Sequence, residues 1–451
     1  MIQMYDGWVQ AVESGELAGV CLLDMSAAFD VVDHNLLIQK LSLYGFDDES
    51  LGWVNSYLSG RSQCVLIEGC LSKLLPVNVG VPQGSILGPL FYTLFTNELP
   101  EVIHDSLDEE SEEKLWPAFH LADEKNGSIC CYADDTTFTS TDPDHATLSL
   151  KLTEKYKMIA QYMVNNRLKL NDEKTHLLVM TTSQAKGRVL TDTQVSITTL
   201  TKVIIPSRCE KLLGCWVQDD LKWAEHIRDS KDSLIRSLNA RFGTLLKIRK
   251  IASFRNRIMI ADGIFMSKLS YLISLLGGCG AVLKKSLQII QNKVARVVTR
   301  LEWSTPAKEL LLQCGWLSVN QLIFYHSVLL VYKVKLSKTP KYLYIMHNRW
   351  SYQYRTRQAE SGLVKMMGKP KLELTKSSFK WRAANQFNQL PAEIRNCGSL
   401  PSFKCWKFSH QNIVFKVQSL SLKKNCKNLY LKQIYTYIHT YIAWMDMEME
   451  I

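Results

Sequence analysis

Residues 129–139 read ICCYADDTTFT: a short apolar run, the adjacent carboxylates Asp134 and Asp135, then a β-branched run. Ile129–Tyr132 and Thr136–Thr139 have strand composition and flank Ala133-Asp134-Asp135, which predicts a hairpin with both carboxylates at its tip. Adjacent aspartates are by themselves most often a solvated turn. Between two apolar strands they repel each other, and a cation is the natural resolution.

A third carboxylate lies about 110 residues upstream. AGVCLLD, residues 18–24, is a short apolar run that ends in Asp24, the pattern of a buried strand with an acid at its exit. Between the two acidic sites, residues 33–58 have helical spacing broken at Tyr44-Gly45-Phe46. Residues 62–68 and 73–79 alternate as a hairpin, Val81-Pro82-Gln83-Gly84 is a turn, and Ile86–Leu99 is helical with Pro89 in its first turn. Residues 101–127 are acidic, polar and uneven, as expected of a surface loop or insertion. Downstream, Asp144–Arg167 is an amphipathic helix, His176–Thr181 and Lys211–Val217 are strands, and Trp223 to about Lys335 is mainly helical and basic. Nucleotidyl transfer is one reaction that needs clustered carboxylates, since it uses two divalent ions about 4 Å apart, and hard ions such as Mg2+ favour carboxylate oxygens.

LLDMSAAFD (Leu22–Asp30), GVPQGSILGPLFYTLFTNELP (Gly80–Pro100) and YADD (Tyr132–Asp135) occur in that order. They resemble the three palm motifs of reverse transcriptases. LNDEKTHLLVM (Leu170–Met180) resembles the fourth motif, and KLLGCW (Lys211–Trp216) the strand that grips the primer. The wording of SAAFDVVDH and GVPQGSILGPLFY is similar to reverse transcriptases of non-LTR retrotransposons, LINE-like elements of the jockey-related group. The likeness spans about residues 15–220. It continues more softly to about 410, through WSTPAKELLLQCGWLSV and SFKWRAANQFNQLPAEIRN.

The resemblance implies an α+β fold: an antiparallel palm sheet backed by helices, then a helical thumb and a basic C-terminal region. It implies RNA-directed DNA polymerase activity by two-metal transfer, with Mg2+ as the cofactor and Mn2+ as a substitute. RNA template, DNA primer and deoxynucleoside triphosphates are the implied partners. Asp24 and Asp134 would be the main metal ligands and Asp135 the supporting carboxylate. Phe29 would be the gate that fills the space of a ribose 2′-hydroxyl. Gln83 and Gly84 would place the template base and the incoming nucleotide. Lys174 would protonate the leaving pyrophosphate, and Leu213 and Gly214 would support the primer terminus.

Only about twenty residues precede Asp24, so the resemblance also implies that the family's fingers, with their basic contacts to the triphosphate, are missing from a chain truncated at its N-terminus. Lys40, Arg61 and Lys73 are the basic residues nearest to hand as replacements. A poor polymerase is therefore expected, and the alternative is an inactive retroelement remnant that binds RNA. An RNA-directed RNA polymerase is disfavoured, because Phe29 and Ala133 stand where those enzymes carry a second Asp and a Gly.

Charge divides along the chain. Residues 1–221 hold 16 Lys and Arg against 31 Asp and Glu, residues 222–340 hold 20 against 6, and residues 341–451 hold 18 against 6. An acidic front suits metal ions and a basic back suits a phosphate backbone. Arg249, Lys250, Arg255 and Arg257 are the most concentrated nucleic-acid candidates. The expected domains are a palm over 1–221 with an insertion at 101–128, a thumb-like region over 222–340, a basic region over 341–416 and a tail of simple repeats over 417–451. The 12 cysteines form no zinc-ligand spacing and read as reduced, buried thiols. Without a signal peptide or a clean apolar span (Gly263–Leu283 reads as a buried helix plus turn), an intracellular protein of cytoplasm and nucleus, with no membrane partner, is expected.

Overall fold

A computed structural model describes residues 1–103, 129–182, 195–199, 201–337 and 370–400. It also describes residues 339, 343, 363, 364 and 403 and the backbone of 407–408 and 415–416. The acidic stretch 104–128, most of 341–369 and the repeat-rich 417–451 lie outside these. The chain divides into a sheet unit, residues 14–214 with 218–220, and a helical unit, residues 1–13, 215–217 and 221 onward.

In the sheet unit the apolar run after Ser14-Gly15 forms strand β1 (Leu17–Leu23). It is buried because it lies in the middle. It pairs antiparallel with the second strand of the acidic hairpin on one side and with His176–Met180 on the other. In chain order, the strands from Arg61 to Val77 are four short pieces, β2 (Arg61–Gln63), β3 (Leu66–Ile67), β4 (Cys70–Leu71) and β5 (Leu75–Val77). They form the expected hairpin, with β2 against β5 and β3 against β4. The acidic hairpin is β6 (Ile129–Tyr132) and β7 (Asp135–Asp142), and His176–Met180 is β8. A last short strand, Pro206–Ser207, runs parallel to β8. The five-stranded sheet is therefore antiparallel except at that edge.

Four helices complete this core: α2 (His34–Leu43), α3 (Asp48–Leu58), α4 (Leu87–Phe95) and α5 (His145–Asn165), numbered after α1 (Ile2–Glu13) of the other unit. The side chains of Asp33, Asp47 and Asp144 accept from the backbone amides of Leu36, Ser50 and Thr147 and so begin α2, α3 and α5. The break between α2 and α3 falls at Gly45, whose φ of 87° favours glycine. Gly19 lets α5 pack tightly on β1, since an added Cβ would meet Leu152 Cδ1 at 2.6 Å. Cys21, Leu23, Phe138, Leu152, Ile159 and Leu177 then share one apolar core with Leu37, Phe91 and Phe95.

The helical unit contains Leu234–Ile248, Phe254–Ala261, Ala281–Thr299, Ala307–Cys314, Val319–Ser337 and Phe379–Asn388. Ser233, Ser253 and Ser378 cap three of these. Gly263–Leu283 is short helical turns around the buried Phe265, Leu269, Leu275 and Leu276. Among the described residues no single helix is long and apolar enough to cross a membrane.

Sequence reading assigned no element to residues 2–13, yet α1 is a helix whose acids act far downstream within this unit. Asp6 is buried and accepts from the amides of Phe379 and Lys380, at 2.9 and 2.7 Å. Glu13, two turns on, accepts from the amides of Lys371 and Leu372 and the hydroxyl of Thr375. Burial pushes the Asp6 carboxyl from its usual 3.8 to about 6, against the pull of the two amides and of Lys380 and Arg382. A raised folded-state pKa means stability that is fully present below about pH 4 and is lost as pH rises through about 6. The melting-temperature margin of the wild type over Asp6→Asn is therefore expected to be largest near pH 4 and to shrink by roughly 3–6 °C by pH 7.5. Thermal melts across that range check it; a margin that grows with pH would mean that the amides outweigh burial.

Candidate active site

The central strand sets the acids side by side. Leu23 pairs with Thr136, so the next step of the register brings Asp24, just past the end of β1, alongside Asp135 at the start of β7. Tyr132 pairs with Asp135, which leaves Ala133-Asp134 as the two-residue turn. Ala133 holds a φ of 52°, a left-handed value rare for a residue with a Cβ. Burial, then Asp134, then Asp24 raise the Asp135 carboxyl above its usual range. Among the described residues no three His, Cys, Asp or Glu side chains close around one point as ligands of an ion would. Neighbouring hard carboxylate oxygens are nevertheless a donor set that a divalent cation fits, because a cation between them offsets their mutual repulsion.

Beyond Asp24 the chain runs antiparallel to residues 169–171. Ser26 donates to the Lys169 carbonyl at 3.0 Å, Met25 bridges Leu170, and the Asn171 amide donates to the Asp24 carbonyl at 2.9 Å. The following turn, Asp172–Lys174, is tied down through Asp172, which accepts from the hydroxyls of Tyr156 and Thr201. Lys174 Nζ thereby lies 3.8 Å from Asp24 Oδ2. The Lys174 side chain is 71% exposed, so this pair contributes little stability and leaves the ammonium free to move.

Next to the acids lies a cleft of about 380 Å³ lined by Met25, Ala27, Ala28, Phe29, Gln83, Gly84, Pro89 and Asp134. Phe29 packs against Tyr92 with ring centroids 4.7 Å apart. Tyr92 is itself buried and donates to Met25 Sδ at 2.9 Å. Burial, with the nearby Asp134 and Cys131, pushes its phenol up and keeps it neutral. Phe29 therefore stands on a fixed ring.

The loop that carries Gln83 and Gly84 is strapped to the segment that carries Phe29. Gly80 N donates to Val32 O at 2.7 Å, Val81 N to Phe29 O at 2.8 Å, and His34 Nε2 contacts Gly80 O at 2.8 Å. The Gln83 amide nitrogen donates to Asp30 Oδ1 at 2.8 Å. A carboxylate only accepts, so Asp30 fixes which end of the amide faces it. Asp30, Asp33 and His34 were not singled out from sequence as site supports; their signal was position alone, within the run that begins at Asp24. Asp33 caps α2 and pairs with Arg167, which ties this segment to the end of α5.

Several sequence expectations need correction. Lys211–Val217 is not one strand: Leu213 and Gly214, at φ 47° and 77°, form a turn between Cys209–Leu212 and Cys215–Gln218. Arg257 is 4% exposed and donates to the carbonyls of Val298 and Ala252 at 2.7 and 2.6 Å, so it braces the helical unit instead of presenting a charge. Arg249, Lys250 and Arg255 are exposed. Lys40 is buried, with Nζ 2.8 Å from both Phe95 O and Glu98 Oε2, and is committed to the core.

Residues 8–217 match the family model described as reverse transcriptase (RNA-dependent DNA polymerase). The chain is 26% identical over 297 residues to the RNA-directed DNA polymerase from mobile element jockey of Drosophila melanogaster, covering 65% of this chain and 30% of that one. It is 27% identical over 295 residues to the probable RNA-directed DNA polymerase from transposon X-element of the same fly, covering 65% and 29%. Over 167 residues it is 31% identical to the probable RNA-directed DNA polymerase from transposon BS, covering 37% and 17%. The chain thus spans about 30% of the length of the first curated relatives it matches. Among solved structures, the telomerase of Candida tropicalis in complex with a fragment of telomeric RNA aligns with a TM-score of 0.34 at 12% identity, covering 69% of this chain and 52% of that chain.

The straps predict the effect of one methyl group. Gly80 has φ 90°, and a Cβ there would lie 2.7 Å from Asp30 O, which is backbone and cannot swing aside. Gly80→Ala is expected to destabilise the loop by about 1–3 kcal/mol from backbone strain alone. Amide exchange at Val81 should accelerate accordingly, while exchange in β1 should be unchanged. Unaltered protection at Val81 would mean that the loop does not depend on this approach.

Proposed function

We propose that this chain, whose residues 8–217 match the reverse transcriptase family model and resemble the polymerases of non-LTR retrotransposons, catalyses RNA-directed DNA synthesis. The observation that supports this most is the register of β1 with β7, which brings Asp24 beside Asp135 at the edge of the cleft that Asp134 and Phe29 line. In the reaction the primer 3′-hydroxyl attacks the α-phosphorus of a deoxynucleoside triphosphate, a phosphodiester bond forms, and pyrophosphate leaves. Asp24, Asp134 and Asp135 would hold the divalent ions, Mg2+ with Mn2+ as a substitute, which activate the hydroxyl and neutralise the triphosphate. Lys174, carried to Asp24 by its tethered turn, is the proton donor to the leaving pyrophosphate. Phe29 excludes the ribose 2′-hydroxyl, and its rigid backing by Tyr92 makes that exclusion steric. Gln83 and Gly84 face the template base and incoming nucleotide. Leu213 and Gly214, at the turn between Cys209–Leu212 and Cys215–Gln218, support the primer end. The helical region after residue 221 acts as a thumb, with Arg249, Lys250 and Arg255 toward the phosphate backbone.

A second reading has its own observation. Among the described residues no Lys or Arg lines the cleft, and Lys40 is spent in the core. Triphosphate charge that metal ions leave over is ordinarily met by such cations, so a chain that binds RNA without copying it is the competing function.

Primer extension on an RNA template separates the two. The wild type is expected to extend with Mg2+ or Mn2+, and Asp134→Asn to lose about 10²–10³-fold or more of that rate. No extension by the wild type under either metal, with RNA binding intact, favours the second reading. In any extending preparation Phe29→Val is expected to raise ribonucleotide incorporation relative to deoxynucleotide by about tenfold or more, the scale on which a pocket rejects a single added group. An unchanged ratio would move the sugar gate to another residue.

A further inference from the structure

The helical unit carries a group of cations without counter-ions next to an open aromatic face. The helix Ala281–Thr299 ends at Arg300, whose φ of 60° turns the chain outward. Arg300 Nη2 donates to the Arg249 carbonyl, so the turn after this helix is tied to the turn Arg249–Ser253 that ends another. Arg249 and Arg300 both lie near enough to Arg257 to lower its pKa, after burial itself. Arg257 is consumed by two carbonyls, but Arg249, Lys250, Arg255 and Arg300 have no ion pair among the described residues. Cations grouped in this way repel one another, and among the described residues no carboxylate pairs with them. The acid nearest in sequence, Glu302, accepts from Ser304 Oγ at 3.3 Å.

Three residues after Arg300, Trp303 is 79% exposed. One face of its ring is taken by Arg296, whose guanidinium carbon lies 4.8 Å from the ring centroid. Arg296 is itself held by the Thr305 carbonyl at 3.4 Å. The indole is thus backed and oriented on one side and open on the other. Its apolar ring in solvent is a cost that a stacked partner removes.

We propose that this turn is a stacking platform for single-stranded RNA: a base lies on the open face of Trp303, and the flanking phosphates meet Arg249, Lys250, Arg255 and Arg300. A planar base suits the indole, and a chain of phosphates suits cations that lack carboxylates. A duplex hides its base faces and offers only the phosphates. The assignment to RNA rests on the polymerase reading, in which uncopied template is the single-stranded partner. The surface requires neither metal nor nucleotide.

The test is fluorescence anisotropy of the full chain with a labelled 15-nucleotide oligouridylate, without metal or nucleotide. The absence of synthesis in this assay bears on nothing, and a failed primer-extension assay leaves its result standing. Trp303→Ala is expected to weaken binding by about 5- to 100-fold, and Trp303→Phe by less. Arg255→Gln and Lys250→Gln should each lower the dependence of log affinity on log salt by about 0.7. Thermal melts matching the wild type establish that these variants fold, and Arg300, which braces the turn, is left in place. Wild-type affinity in Trp303→Ala overturns the platform. Competition by a 15-base-pair duplex as strong as by the single strand overturns the stacking, and preference for oligodeoxythymidylate over oligouridylate overturns the assignment to RNA.

Discussion

The pairing of β1 with β7 is the constraint on which the site depends. Its register leaves no freedom in where Asp24 goes: with Leu23 against Thr136, the next residue lies beside Asp135. A slip of one residue would turn Asp24 to the other face and drive Cys21 and Leu23 out of the core. The register is therefore enforced by apolar burial, in Cys21, Leu23 and Phe138, and not by the acids it brings together. The acids add a smaller opposing effect: burial first, and then Asp134 and Asp24, raise the Asp135 carboxyl. Hydrophobic packing stabilises the fold by far more than repulsion among partly solvated carboxylates costs, so the site can keep a charge arrangement that would not form by itself.

A second constraint couples the two walls of the cleft. Phe29 and Gln83 are more than fifty residues apart, yet the backbone of one segment hydrogen bonds to that of the other on both sides of Asp30. Because Gly80 has no side chain, the two backbones touch. The segment that carries Phe29 and the loop that carries Gln83 are therefore joined as one piece. Asp33 extends this piece to α5 through Arg167, and His34 extends it to the loop through Gly80.

What could be read in the sequence follows the range of the forces involved. β1, the acidic hairpin, α2 to α5 and the break at Gly45 were legible because local periodicity and caps specify them. The order of motifs placed Asp24, Asp134, Phe29 and Gln83 within one domain. The failures have long-range causes. The α1 helix is fixed by contacts made by Asp6 to Phe379 and Lys380. Arg257 turns inward because the Val298 carbonyl is unpaired at a helix end 41 residues away. Lys40 is spent because the end of α4 presents Phe95 O and Glu98 beside it. Leu213 was misread for a different reason: nothing in a leucine announces a positive φ.

The charge division has a physical rationale that reaches past composition. Two ions at a carboxylate cluster require locally negative potential, and a phosphate backbone requires the opposite, so a protein that needs both must separate them or pair them off. Here they are separated along the chain, with 31 acids in the first 221 residues and 38 Lys and Arg after them. Inside the sheet unit the cations that remain are mostly bound to partners, Lys40 to Glu98, Lys151 to Asp142 and Arg167 to Asp33. At the platform they are not. Arg249 and Arg300 share a carbonyl contact and no carboxylate. Exposed charges of one sign are screened within about 10 Å at moderate salt, so cations such as these attract phosphate at short range. Specific ion pairs thus hold Lys40, Lys151 and Arg167 of the acidic unit, whereas Arg249, Lys250, Arg255 and Arg300 of the basic unit have no ion pair among the described residues.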